Sequence, residues 1–166
     1  MRILGVDPGT IKFGYGIVDV DSYGAKCVAY GCLEAKRSAD IHNRLLTIYR
    51  GLEEVVTQWK PDHLAVEEPF VAPQRGAKAG VAVGQAQALA LLLAAAGDME
   101  VHRYAPSQVK RAVSDYGAGS KAQVQRMVQM VLGMDTQPMS EDTSDALAVA
   151  LCHIGHWRAA QRILTA

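Results

Sequence analysis

The sequence has no excess of either charge: 17 Lys+Arg stand against 17 Asp+Glu in 166 residues. A nucleic-acid partner normally goes with a basic balance, so neutrality is a first objection to one, although an average does not say where charges sit. Cysteine is scarce. Cys27, Cys32 and Cys152 are an odd count without C-x-x-C spacing, which argues against a disulfide framework or a zinc site and for free thiols in a reducing compartment. Long apolar runs are also missing. The longest candidate, residues 86–96, is broken by Gln87 and falls short of the roughly 20 residues that cross a bilayer. The start, MRILGVDPG, has no signal core followed by a small-residue cleavage site, so a cytoplasmic protein is expected. Neither G-x-x-x-x-G-K-[ST] nor G-x-G-x-x-G occurs, which leaves nucleotide binding by those loops unsupported. No Ser-His-Asp nucleophile set, internal repeat or low-complexity tract stands out.

What is present suits a single domain spanning residues 1–166, long enough to bury a core, with 49% hydrophobic residues. Residues 2–7 form an apolar run closed by Pro8-Gly9, and 14–20 and 26–34 follow as strand-like runs joined by Asp21-Ser22-Tyr23-Gly24, an antiparallel meander. Asp40 is placed to cap a helix whose face carries Ile41, Leu45, Ile48, Leu52, Val55 and Trp59. Pro61-Asp62 stops it and 63–67 reads as a buried strand, so strand, helix and strand imply a parallel crossover. A Pro- and Gly-rich loop over 68–80 precedes an Ala/Leu-rich helix, 77–96, that is apolar nearly all round. A strand at 100–104 follows, then helices from Ser107 to about 114 and from a Ser120/Gln123 capping box to about 132. A last helix is opened by Pro138 and Ser140 and runs to about 157. The expected fold is α/β, a mixed five-stranded sheet flanked by helices on both faces.

Four carboxylates carry the functional signal. Asp7 and Glu67 each close an apolar strand (Ile3, Leu4, Val6; Leu64, Ala65, Val66), and open α/β sheets bind ligands beyond the C-terminal strand ends. Either acid alone also suits an ordinary strand exit, but two side by side must be solvated, paired or metal-bound. Asp142 and Asp145, in SEDTSDALAVAL, share one face near the start of the last helix. Acids in a first turn also complement the helix dipole, and Glu141 is such a residue, but Asp145 lies in the second turn beside an Ala-Leu-Ala packing face. Oxygen ligands without His or Cys suit Mg²⁺ or Mn²⁺ rather than zinc. Two such ions about 3.5–4 Å apart stabilise both oxygens of an in-line phosphoryl displacement. His153 and His156 are expected to be packing or surface residues.

The ordered set GVDPGT-x₄-GYG, LAVEE-P-F, GQAQALAL, YAPSQVKRAV, GSKAQVQRMV and EDTSDALAVALCH resembles the RuvC Holliday-junction resolvases over nearly the whole chain. The resemblance implies a ribonuclease H-like fold and a homodimer that nicks two strands of four-way junction DNA symmetrically, leaving 5′-phosphate and 3′-hydroxyl ends. Two Mg²⁺ per site are implied, with Mn²⁺ able to substitute, together with partnership with RuvA- and RuvB-type branch-migration proteins and no membrane association. The family's catalytic, metal-binding acids match Asp7, Glu67, Asp142 and Asp145, although some members carry His at the Asp142 position. Two family lysines near the scissile phosphate match Lys110 and Lys121, and the loop aromatic set against unpaired bases matches Phe70. Pro69, between the acid pair and Phe70, departs from the family pattern and stiffens that loop. Other readings are a catalytically silent junction-binding module, a YqgF-type nuclease, or an actin-like ATPase. The intact acids argue against the first, the carboxylate spacing against the second, and the length against the third.

The residues support this independently. Lys110 and Lys121 lie at or near helix starts, where backbone N–H groups and a cation together seat a phosphate. Arg75 and Lys78 are further DNA contacts expected from the 68–80 loop. Stacking Phe70 on an unpaired base is worth about 1–3 kcal/mol. Between residues 70 and 130 seven cations face three anions, a local +4 that answers the opening objection. The helix 77–96 is the candidate dimer face.

Overall fold

A computed structural model of the chain describes residues 1–68, 76–114, 121–134 and 140–164. Its five strands are β1 (Arg2–Asp7), β2 (Lys12–Val20), β3 (Ala25–Glu34), β4 (His63–Glu67) and β5 (Glu100–Tyr104). They form one sheet in the order β3-β2-β1-β4-β5, antiparallel on the β1–β2–β3 side and parallel from β1 through β4 to β5. The parallel half exists because α1 (Ile41–Trp59) carries the chain back across the sheet between β3 and β4.

Strand alternation sorts the core into two layers. Leu4, Val6, Ile17, Leu64 and Val66 face α1 (Ile48, Leu52, Val55) and α2 (Gly76–Ala96), whose Ala86, Ala90, Leu93 and Ala94 are buried. Ile3, Val18 and Ala65 point to the other face, under α3 (Pro106–Ser114), α4 (Lys121–Val131) and α5 (Glu141–Leu164). α5 is the spine of that layer, with Ala146, Leu147, Ala148, Val149 and Ala150 all buried between the sheet and the neighbouring helices.

Several local details differ from expectation. Asp40 has the extended backbone of an N-cap but makes no side-chain cap bond to α1. α3 begins at Pro106 rather than Ser107, and Gln108 reaches back to accept from the Ala105 N–H at 2.8 Å, half of a capping box. Ser140 does cap α5, its hydroxyl accepting from the Thr143 N–H at 3.2 Å. α5 runs to Leu164, beyond the expected end near 157, because Arg158, Ala159, Ala160, Gln161 and Arg162 are strong helix formers even without a buried face. Ala77–Ala96 is, by length and composition, apolar enough to cross a membrane, contrary to the expectation that Gln87 breaks the run too short. That helix is only 28% buried, on the face where Gln87, 6% exposed, donates its side-chain amide to the Glu67 carbonyl at 3.0 Å.

Candidate active site

The β1–β4 register pairs Val6 with Val66, so the next residue on each strand, Asp7 and Glu67, leaves the sheet at the same end. Both lie on the α5 face. α5 approaches that face closely because the residues beneath it have no side chains. A Cβ on Gly5 would run into the Ala146 carbonyl, one on Gly14 into the Asp142 carbonyl, and one on Gly16 into the Leu147 side chain. Gly14 pairs directly with Asp7 on the β2–β1 ladder, so its missing side chain lets the first turn of α5 settle beside that acid. Cys32, opposite Gly14 on β3, points its thiol toward Asp142 Oδ2 at 4.0 Å.

The electrostatics link the four acids. Burial pushes Asp7 up to about 7, and Asp145, Asp142 and Glu67, in that order, push it further the same way. Glu67 is also raised, by burial first and then by Asp145. Asp142 is half-buried and Asp145 exposed, so the cluster opens to solvent on the helix side. Among the described residues, every charge acting on Asp7 or Glu67 is another carboxylate, and neither Lys78 nor Lys110 contributes. A repelling set of oxygen donors fits a hard divalent cation.

Lys110 is exposed in the second turn of α3, and Lys78 is exposed in the first turn of α2. Lys121 opens α4, but its side chain, with Pro69, Phe70, Arg75 and the Ser120 cap, lies outside the described residues. Sequence reasoning did not find the Gly5, Gly14 and Gly16 seat for α5. The signal was the G-Y-G of β2, whose alternate residues face the helix. It also treated His153 as packing. That residue is indeed 2% exposed, but both ring nitrogens are engaged, Nδ1 with the Tyr104 hydroxyl at 2.7 Å and Nε2 with His63 Nδ1 at 2.9 Å.

Comparison with known proteins identifies the family. A family model described as "Crossover junction endodeoxyribonuclease RuvC" matches residues 3–153. The RuvC crossover junction endodeoxyribonuclease of Dehalococcoides mccartyi is 43% identical over 156 residues, covering 94% of this chain and 93% of its own. That of Moorella thermoacetica is 42% identical over 160 residues, 95% of each. Among solved structures, "T. thermophilus RuvC in complex with Holliday junction substrate" matches with a TM-score of 0.83 at 29% identity over 96% of both chains. The yeast mitochondrial Holliday junction resolvase Ydc2 shares the fold alone, with a TM-score of 0.64 at 11% identity over 98% of this chain and 85% of its own.

Proposed function

The chain belongs to the RuvC family of crossover junction endodeoxyribonucleases, and we propose that Asp7, Glu67, Asp142 and Asp145 are the catalytic, metal-holding residues with which it cuts four-way DNA junctions. One observation carries the assignment: Asp7 is pushed to about 7 by burial and by three neighbouring carboxylates, with no balancing cation among the described residues. Such a set is stable at neutral pH only when protonated or when loaded with cations. Two Mg²⁺, with Mn²⁺ as a substitute, supply there the Lewis acidity that favours both the attacking and the leaving oxygen of a phosphodiester displacement.

The chain's own residues do the rest. The ends of β1 and β4 fix Asp7 and Glu67 on a rigid sheet, and Gln87 holds the Glu67 backbone carbonyl from α2. The Gly14 seat fixes Asp142 and, three residues on, Asp145. Lys110 and Lys121 bind backbone phosphates flanking the cut, Arg75 and Lys78 steer the junction arms, and Phe70 stacks on an unpaired base near the junction centre. The product is a nick with 5′-phosphate and 3′-hydroxyl ends, made by residues 1–166 acting as one nuclease unit in the cytoplasm. Symmetric paired nicks require two such sites. The homodimer forms through α2, a largely apolar helix that leaves Val81 (61%) and Leu92 (63%) exposed, and RuvA- and RuvB-type proteins bring the junction.

The test incubates labelled four-way junctions and matched duplexes with wild type and Asp7→Asn, in Mg²⁺ or EDTA. Paired nicks that vanish in the variant and in EDTA, while junction binding persists, support the assignment. Equal cutting of plain duplex overturns it.

A further inference from the structure

We propose that His63, His102 and His153 form a second metal site, for a borderline transition-metal cation of the Zn²⁺ type, at the opposite end of β4 from the carboxylates. The register of β4 and β5 sets His63 against Glu100, Ala65 against His102 and Glu67 against Tyr104, so all six residues face α5. His153 comes down from α5 onto this face. Its ring centroid lies 4.1 Å from that of His102 and 5.1 Å from that of His63. One ligand nitrogen from each of the three rings lies within 4.8 Å of the others.

The hydrogen bonds account for only part of this cluster. When His153 Nδ1–H donates to the Tyr104 oxygen, Nε2 turns its lone pair toward His63 Nδ1 at 2.9 Å. A proton between those two nitrogens satisfies the pair and nothing else. His102 Nε2 is buried with no hydrogen-bond partner among the described residues, and the Glu100 carboxylate stands 3.5 Å away, an ion pair only when the ring is protonated. A cation satisfies all three rings together. Two nitrogens on tetrahedral Zn²⁺, at about 2.0–2.1 Å from the metal, sit roughly 3.3 Å apart, close to the existing His63–His153 spacing. The His102 ring has to turn out of its stack to join them, and its side chain is 32% exposed, with room to do so.

The surroundings suit this metal class. Tyr104 holds the His153 tautomer as an outer-sphere partner does in histidine sites. Burial and its histidine neighbours keep the His153 ring neutral, the ligating form. Imidazole donors select Zn²⁺ over Mg²⁺, and the fourth position is left to water or to Glu100. The site cannot share an ion with the carboxylates. His63 is four residues before Glu67, about 13 Å along the strand, and His153 is eight residues after Asp145, about 12 Å along the helix. A cation here ties β4, β5 and α5 together, and so braces the helix that presents Asp142 and Asp145.

The test uses the full chain carrying Asp7→Asn, Asp142→Asn and Asp145→Asn, which disables the carboxylate site. Co²⁺ is titrated as a spectroscopic probe and displaced by Zn²⁺, and thermal unfolding is followed with and without Zn²⁺. One equivalent is expected, with the visible absorption of nitrogen-ligated, four-coordinate Co²⁺ and a raised unfolding midpoint in Zn²⁺. His102→Gln and His63→Gln should each weaken Zn²⁺ binding at least tenfold and remove the stabilisation. Replacing the buried His153 risks unfolding the chain, so these two variants carry the decision. Zn²⁺ binding as tight in both as in the parent, or a parent that binds no Co²⁺ in that geometry, overturns the proposal.

Discussion

The two ends of β4 lie under α5 on the same face of the sheet, yet they gather opposite chemistries. At the first end, oxygen donors meet where parallel strands terminate, and burial and mutual repulsion hold Asp7 and Glu67 above the usual carboxylate range. At the other, nitrogen donors meet where those strands begin, and burial holds His153 far below the usual imidazole range, at about 3. In both places the neutral form is favoured for the same physical reason, desolvation without a compensating opposite charge. A helix laid across parallel strands thus makes two polar clusters from one core, and hardness of the donors decides which cation each one suits.

Substitutions at the two ends should separate them. The largest effect is expected from Glu67→Gln, which should lower junction cleavage by about 10³-fold, against a change of about twofold or less for His63→Gln. Single-turnover rates on a four-way junction in Mg²⁺ measure both, and comparable losses would join what is separated here. Gly14→Ala comes next. Its Cβ collides with backbone at the acid end, and overpacking of that kind destabilises by about 1–3 kcal/mol, whereas Gly24→Ala meets nothing within 4 Å and should be neutral in urea unfolding.

The pH dependence of the metal-free protein makes a subtler contrast. Asp7 binds its proton more tightly folded than unfolded, so its contribution is complete below its ordinary value and is lost as pH rises through about 7. His153 binds its proton less tightly folded, so its contribution is complete above its ordinary value of 6.5 and is lost as pH falls toward about 3. Between pH 4 and 6.5 the two slopes, each up to about 1.4 kcal/mol per pH unit, oppose one another. Urea unfolding in EDTA should therefore show a flattened profile for wild type, and a profile falling toward acid for Asp7→Asn. Identical profiles would contradict it. The smallest effect is on affinity: Asp145→Asn, or added Mg²⁺, should tighten junction binding a few-fold by removing carboxylate repulsion of phosphate. Binding isotherms at fixed salt check this.

The acid end was legible in the sequence because acids stand out against the strands that carry them. ILGVD and LAVEE break an apolar run with a charge, and nothing in a core tolerates that without a reason. The β1 and β4 limits follow from the same contrast and are observed at Arg2–Asp7 and His63–Glu67. The histidine end was not legible. Its members come from three distant segments, each unremarkable in place: His63 after a helix stop, His102 in a five-residue strand, His153 within ALAVALCHIGH. Only the pairing of β4 with β5 and the length of α5 bring them together. The Asp40 cap failed for a different reason, since a suitable residue type does not guarantee that its side chain turns toward the helix.

The glycine seat beneath α5 also differs in how readily it can be repaired. A side chain at position 16 would meet Leu147, itself a side chain, so a larger residue there can be matched by a smaller one on the helix. At positions 5 and 14 the obstacle is the carbonyl of Ala146 or Asp142, which every amino acid possesses. No exchange on the helix opens that space. Leu147→Ala should rescue Gly16→Ala, while Gly5→Ala and Gly14→Ala have no second-site suppressor at the residues they strike. Two positions bearing no functional group are thereby among the least negotiable in the chain.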